Sequence, residues 1–293
     1  MMEKKQLFIV AILAAMIFLV FPLPAHADAG PKAGLTINCV NLPEGEVYLD
    51  LLINDPPFLN EEGMRYGTYS WGEDPEYYNK DMLAILKAYN VDGWRPALVT
   101  GVSSPIWGEL RLSVEGGRAT AHFGYFGVPD RFKIIVVTEN GNVVVSNLIE
   151  RKAFDSVVDF DFATGEAAER NPMLQVIRQF AIILPVTLVV ELLILLLFRF
   201  SLRQNWKPFL FINLGTQIAL HSVIALAITW GGGTVAFFAF IGMEGVILIA
   251  EILLFIFLLK QHSKLRRAMF ALAANAASFF VGMIMMIVFL GMA

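Results

Sequence analysis

The stretch GMEGVILIAEILLFIFLLK, residues 242–260, decides how the chain is read. It is almost wholly apolar and long enough to cross about 30 Å of hydrocarbon. Yet it carries Glu244 and Glu251. Seven residues turn an α-helix through about 700°, so the two carboxylates share one face, about 10 Å apart. An ionised carboxylate in hydrocarbon is costly. Each must hold a proton, find a partner or turn into a helix bundle.

Working outward, three further stretches have the same character. They give four spans, at 176–198, 208–230, 234–259 and 268–291. The connection FRFSLRQNWKP carries Arg199, Arg203 and Lys207, and KQHSKLRRAM carries Lys260, Lys264, Arg266 and Arg267. Neither holds an acid, and the middle connection, TWGGGT, holds no charge. The excess of Lys and Arg places both basic loops in the cytoplasm and TWGGGT outside.

The N-terminus agrees. Lys4 and Lys5 precede an apolar run, Leu7 to Phe21, and Ala25-His26-Ala27 forms a cleavage signal. Residues 1–27 read as a signal peptide, the other reading being an uncleaved anchor. Either way residues 28–175 lie outside the cytoplasm of a multi-pass plasma-membrane protein.

Charge divides the chain at the same place. Of 293 residues 16% are charged, against about 25% in an ordinary soluble domain. Residues 28–172 hold 22 acids and 12 Lys or Arg, a net −10, whereas residues 173–293 hold 8 Lys or Arg and only Glu191, Glu244 and Glu251 as acids. The cytoplasmic side is two short loops, which leaves no room for a kinase, nucleotidase or DNA-binding domain. Nucleic acid is excluded as a partner.

The polar residues of the spans fall at two depths. Counted from the basic loops at about 1.5 Å per residue, Glu191, Asn213, Gln217, Glu251, Asn275 and Ser278 sit near one level, about 12 Å up. His221 and Glu244 sit at a higher one. Asn213, Gln217 and His221 recur every four residues and share a face, while Ala274, Ser278 and Gly282 form a stripe of small residues suited to close helix contact. Two readings are open. The polar groups are packing glue between helices, or they form a proton or cation path or a small substrate site.

Residues 28–162 read as a β-rich domain and 163–175 as a linker. KIIVVTENGNVVVSNLI is a hairpin turning at Asn140-Gly141. ELRLSVEGGRATAHFGYF is a second, turning at Gly116-Gly117; LTINCVNL, EVYLDLLIND and SVVDFDF are further strands. PEYYNKDMLAILKAYN, 75–90, reads as one amphipathic helix. The fold class expected is α+β multi-domain: a β-sandwich with one inserted helix, then a four-helix transmembrane bundle.

No metalloprotease, serine-hydrolase or nucleotide-binding motif is present, and no His/Cys set has metal-ligand spacing. No cofactor is expected. Cys39 reads as a small buried strand residue, and His122 as a strand residue or a ligand. Asp155, Asp159 and Asp161 read as an acidic strand edge or a calcium site. Trp71, Tyr77, Tyr78, Trp94, Trp107, Tyr125 and Phe126 belong to the core or to a recognition surface.

The chain resembles a family of uncharacterised membrane proteins of Gram-positive bacteria, with an exported β domain and a compact helical membrane domain. The resemblance runs through FKIIVVTENGNVVVSNLIERKAFDSVVDFDF, VVELLILLLFRF, NLGTQIALHSV, EGVILIAEILLFIF and NAASFFVG, over roughly 130–285. It matches at Glu191, Asn213, Thr216, Gln217, Glu244, Glu251, Asn275, Ser278 and Gly282. At His221 the family pattern has an amide. The resemblance implies no activity.

The function expected is an integral membrane protein with an exported binding, sensing or accessory domain. A helical bundle with a polar core would anchor it in the bilayer, beside a membrane or cell-envelope protein partner. The alternative is a small transporter or channel subunit that passes protons or cations along the glutamates. An enzymatic role is left open.

Overall fold

The structure, a computed structural model, describes residues 31–54, 77–101, 106–124 and 127–290. The signal peptide and the aromatics Trp71, Tyr125 and Phe126 lie outside the described residues. Two compact units divide the chain, one built on residues 31–171 and grouped with Thr229–Gly232, the other on the rest of the helices from Pro172 onward.

The first unit holds two sheets. Strands β1 (Gly34–Val40), β4 (Trp107–Gly108), β6 (Ala119–Gly124), β10 (Asp155–Asp161) and β11 (Glu166–Glu169) form one, in the order β11-β10-β1-β6-β4. The pair β1–β10 is parallel and the other pairings antiparallel. The second sheet runs β3-β2-β7-β8, from β2 (Val47–Ile53), β3 (Arg95–Pro96), β7 (Arg131–Thr138) and β8 (Val143–Val145). Short strands β5 (Arg111–Leu112) and β9 (Ile149–Glu150) pair with β2 and β7.

Alternation decides which side chains go inside. On β1, Leu35, Ile37 and Cys39 are buried and the residues between them are not. They join Phe160 of the same sheet, and Leu49, Leu51, Ile134 and Val136 of the other, in one core. Strand β2, VYLDLLI, is buried along its whole length, as a strand covered on both faces must be. Its second covering comes from helix α1 (Lys80–Ala88) and the single turn α2 (Ala97–Thr100), which pack on β7 and β2. Helix α1 begins at Asn79, whose side chain accepts from the N–H groups of Asp81 and Met82. It is shorter than the 75–90 expected from periodicity, and α2 is additional.

Two expectations about this unit are corrected. Residues 163–175 are not a linker throughout, because Glu166–Glu169 pair with β10. EAAE lacks the β-branched and aromatic residues that mark strands, and its pairing comes from the neighbour. The turn at Gly116-Gly117 exists, with Glu115 bridging Arg118. Its two arms then part company, β5 pairing with β2 while β6 pairs with β1. The hairpin at Asn140-Gly141 is present: Ile135, Val136 and Val137 face Val145, Val144 and Val143, and Gly141 supplies φ 78°.

In the second unit, helices α3 (Pro172–Leu197), α4 (Leu202–Leu258) and α5 (Lys264–Leu290) are long and apolar enough to cross a membrane. A straight 57-residue helix would run about 85 Å, far beyond one bilayer core. The backbone of α4 is broken at Gly232, where φ is 71° and ψ −171°. Glycine takes a positive φ at no steric cost. Helix α3 packs against α5.

The connections α3–α4 and α4–α5 are fastened to each other. Arg266 donates Nε and Nη2 to the Phe198 carbonyl at 3.1 and 2.8 Å. The Ser201 N–H donates to Gln261 Oε1 at 2.9 Å, and the Lys260 N–H to Asn205 Oδ1 at 2.7 Å. Arg199, Gln261 and His262 take φ of 59°, 71° and 55°, left-handed turns that end one helix before the next begins.

Candidate functional site

Glu251 is the centre of the buried polar groups in the second unit. It projects from the second half of α4 and is 2% exposed. Its Oε1 accepts the hydroxyl of Thr216, from the first half of α4, at 2.6 Å. Its Oε2 accepts Nδ2 of Asn275, on α5, at 2.8 Å. Glu191, on α3, lies within electrostatic reach of Glu251 and beside the Ser278 hydroxyl. Every helix of this unit thus contributes.

The reasons are local. Asn275, Ser278 and the small residues Ala271, Ala274 and Gly282 lie three or four apart and so share one face of α5. Ala271 and Ala274 are fully buried, and Phe240 stands beside Gly282. With little side-chain bulk on this face, neighbouring helices come close enough for short polar groups to meet. Thr216 also bonds the carbonyls of Ile212 and Asn213, at 3.1 and 3.0 Å. It therefore stays satisfied whichever way its proton turns.

The other site residues expected from sequence fall as follows. Asn213 and Gln217 are buried, but neither Asn213 side-chain atom has a hydrogen-bond partner, nor has Gln217 Oε1, nor Glu191 Oε2. Ser278 bonds the Asn275 carbonyl at 3.2 Å. His221 points Nδ1 at the Gln217 carbonyl, 3.0 Å away, with Phe180 edge-on to its ring. Glu244 is half-buried and shares only long-range electrostatics with Glu251. Among the described residues none of the three glutamates forms an ion pair.

From the second span, sequence reasoning placed Asn213 and Gln217 in the lower level and left Thr216 out of the candidate set. The structure gives Thr216 the bond to Glu251. The signal was available, since Thr216 follows Asn213 by three residues and shares its face.

Among the described residues of the first unit, those singled out from sequence fall as follows. Cys39 is buried, and burial pushes its thiol up to about 12. His122 meets the Thr36 hydroxyl at 3.2 Å on the outer face of its sheet. Strand β10 is not a sheet edge, as β1 and β11 flank it, so its acids need another account. Asp159 forms a two-point ion pair with Arg170 at 2.6 and 2.7 Å, which holds its carboxyl below the usual range. Asp161 accepts from Asn41 and the Ala163 N–H. Tyr78 is buried, Tyr77 lies under the Arg111 guanidinium, and Trp94 lies under the Lys133 ammonium. Among the described residues no group of three or more His, Cys, Asp or Glu could hold a metal ion.

One buried acid was not anticipated. Asp50 of β2 is fully buried and accepts from the N–H groups of Leu51, Leu98 and Val99 at 2.7 to 3.1 Å. It caps α2, which starts at Pro96 without a side-chain cap of its own. Burial pushes its carboxyl up to about 7, against the pull of those N–H groups. No protein family, curated protein or solved structure matches the chain.

Proposed function

We propose that the protein is a multi-pass plasma-membrane protein that carries an exported binding, sensing or accessory module. The exported unit is a β-sandwich of the two sheets. Four spans anchor it, with the long α4 crossing twice about Gly232. The resemblance to the Gram-positive membrane family belongs to the same proposal. The observation that carries this reading is the state of Glu251: enclosed, with both oxygens accepting hydrogen bonds. A fastened core of this kind suits an anchor. The short loops leave inward signalling, if any, to a membrane or cell-envelope protein partner.

A second reading is favoured by a different observation. Glu191, Asn213 and Gln217 keep buried polar atoms without protein partners, which is costly unless something polar visits them. A small transporter or channel subunit would pass protons or cations there.

Reconstitution separates the two readings. Liposomes with an imposed pH or cation gradient should lose it no faster with the protein than without it. Rapid dissipation that Glu251→Gln abolishes would establish the second reading and overturn the first.

A further inference from the structure

Arg203, Gln204, Trp206 and Lys207, from the first turns of α4, and Lys260, just past its end, line a cavity of about 620 Å³. The apolar runs of both halves of α4 stop at this level. Below Lys207 and Lys260 the chain is polar, and beyond them it is lipid-like. The three cations are exposed, and none forms an ion pair among the described residues. From Pro172 to the end of the chain the only acids are Glu191, Glu244 and Glu251, all within the apolar stretches.

The cavity also has a fixed frame. The bond from the Lys260 N–H to Asn205 Oδ1 ties its two sides together, and Asn205 is itself fully buried. Trp206 is half-exposed, with the Lys207 ammonium 5.5 Å from its ring. Tryptophan prefers the headgroup level of a bilayer. Pro208 and Leu258 give the cavity an apolar wall as well.

We propose that this cavity binds the headgroup of an anionic phospholipid. Arg203, Lys207 and Lys260 would take the phosphodiester, and the acyl chains would run along Leu258 and the apolar face above it. Arginine suits this role because its planar fork matches a phosphate in two-point contact. A basic pocket between membrane helices is a recurrent setting for such lipids. An acidic peptide would not need the apolar wall or the interfacial tryptophan.

Trp206 is the reporter. In a Trp230→Phe background it is the remaining tryptophan of the membrane helices. The full chain is reconstituted with bilayers containing brominated phosphatidylglycerol or brominated phosphatidylcholine at the same mole fraction. Quenching should be selective for the brominated phosphatidylglycerol. Arg203→Gln or Lys260→Gln should weaken that selectivity about fivefold each, while Lys264→Gln, at a cation outside the cavity, should leave it unchanged. Inorganic phosphate at constant ionic strength should not compete. Equal quenching by both lipids would overturn the proposal, as would an equal loss with Lys264→Gln. Competition by inorganic phosphate would overturn the lipid and assign the cavity to a free anion.

Discussion

Asn275 donates its Nδ2 proton to Oε2 of Glu251 at 2.8 Å, across 24 residues of sequence. With Thr216 on the other oxygen, one carboxyl joins α5 to both halves of α4. Asn275→Leu and Thr216→Val should each lower the stability of the membrane unit by about 0.6–2 kcal/mol. The losses should not add, because both act through Glu251. Reversible unfolding in mixed detergent micelles measures this, and independent, additive losses would count against the shared hub.

Residues 31–171 have a core of their own and should fold when produced alone. Their stability should depend on pH through Asp50. Its folded value, about 7, lies above the unfolded 3.8, so the fold prefers the protonated form. The stabilisation is complete below pH 3.8 and is lost as pH rises through 7, about 4 kcal/mol in all. Asp159 and Asp161 act in the opposite sense and at lower pH, since their folded values are depressed. Chemical denaturation across pH 4–8 should show falling stability in the parent and a flat profile in Asp50→Asn. A parent as stable at pH 8 as at pH 4 would remove Asp50 from this role.

The fold was legible where side-chain pattern alone decides it. The Asn140-Gly141 hairpin, the alternation of β1 and the apolar helices follow from spacing and turn chemistry. The strand Glu166–Glu169 did not, because its pairing is a property of β10 rather than of its own residues. Nor did Asp50 stand out, since an acid inside an apolar strand gives no sign of the backbone N–H groups that α2 will bring to it. For the polar site, depth counting placed Glu191, Glu251, Asn275 and Ser278 at one level. It could not say which hydroxyl or amide would reach which oxygen, so it favoured the larger amides over Thr216.

Arg266 closes the two basic connections by bonding the Phe198 carbonyl. Arg266→Ala should release that carbonyl and the helix ends it joins. Hydrogen exchange at the amides of Ser201 and Lys260, which bond Gln261 and Asn205, should speed up about tenfold, while exchange in β7 should not change. The tenfold figure corresponds to a loss of about 1.4 kcal/mol, close to the lower end of the range of about 1.5–3 kcal/mol for hydrogen bonds to a charged group. Unchanged exchange would mean that the loops hold without Arg266.

The orientation is tested by labelling intact cells. Cysteine placed at Asn140 should react with a membrane-impermeant thiol reagent, and cysteine at Ser263, among the basic loop residues, should be shielded. The reverse pattern would invert the topology.

The most direct measurement compares two substitutions at Glu251 in reversible unfolding of the membrane unit. Glutamine can donate to Thr216, whose own proton then goes to the Ile212 or Asn213 carbonyl, and can still accept from Asn275. Glu251→Gln should therefore keep the parent stability within about 0.5 kcal/mol. Leucine fits the same space but removes the acceptor that joins Thr216 to Asn275, while each keeps a carbonyl of its own helix, so Glu251→Leu should cost about 0.6–2 kcal/mol, the worth of the lost bonds between helices. Equal stability for the parent and both variants would contradict the account, because it would mean that Glu251 fastens nothing.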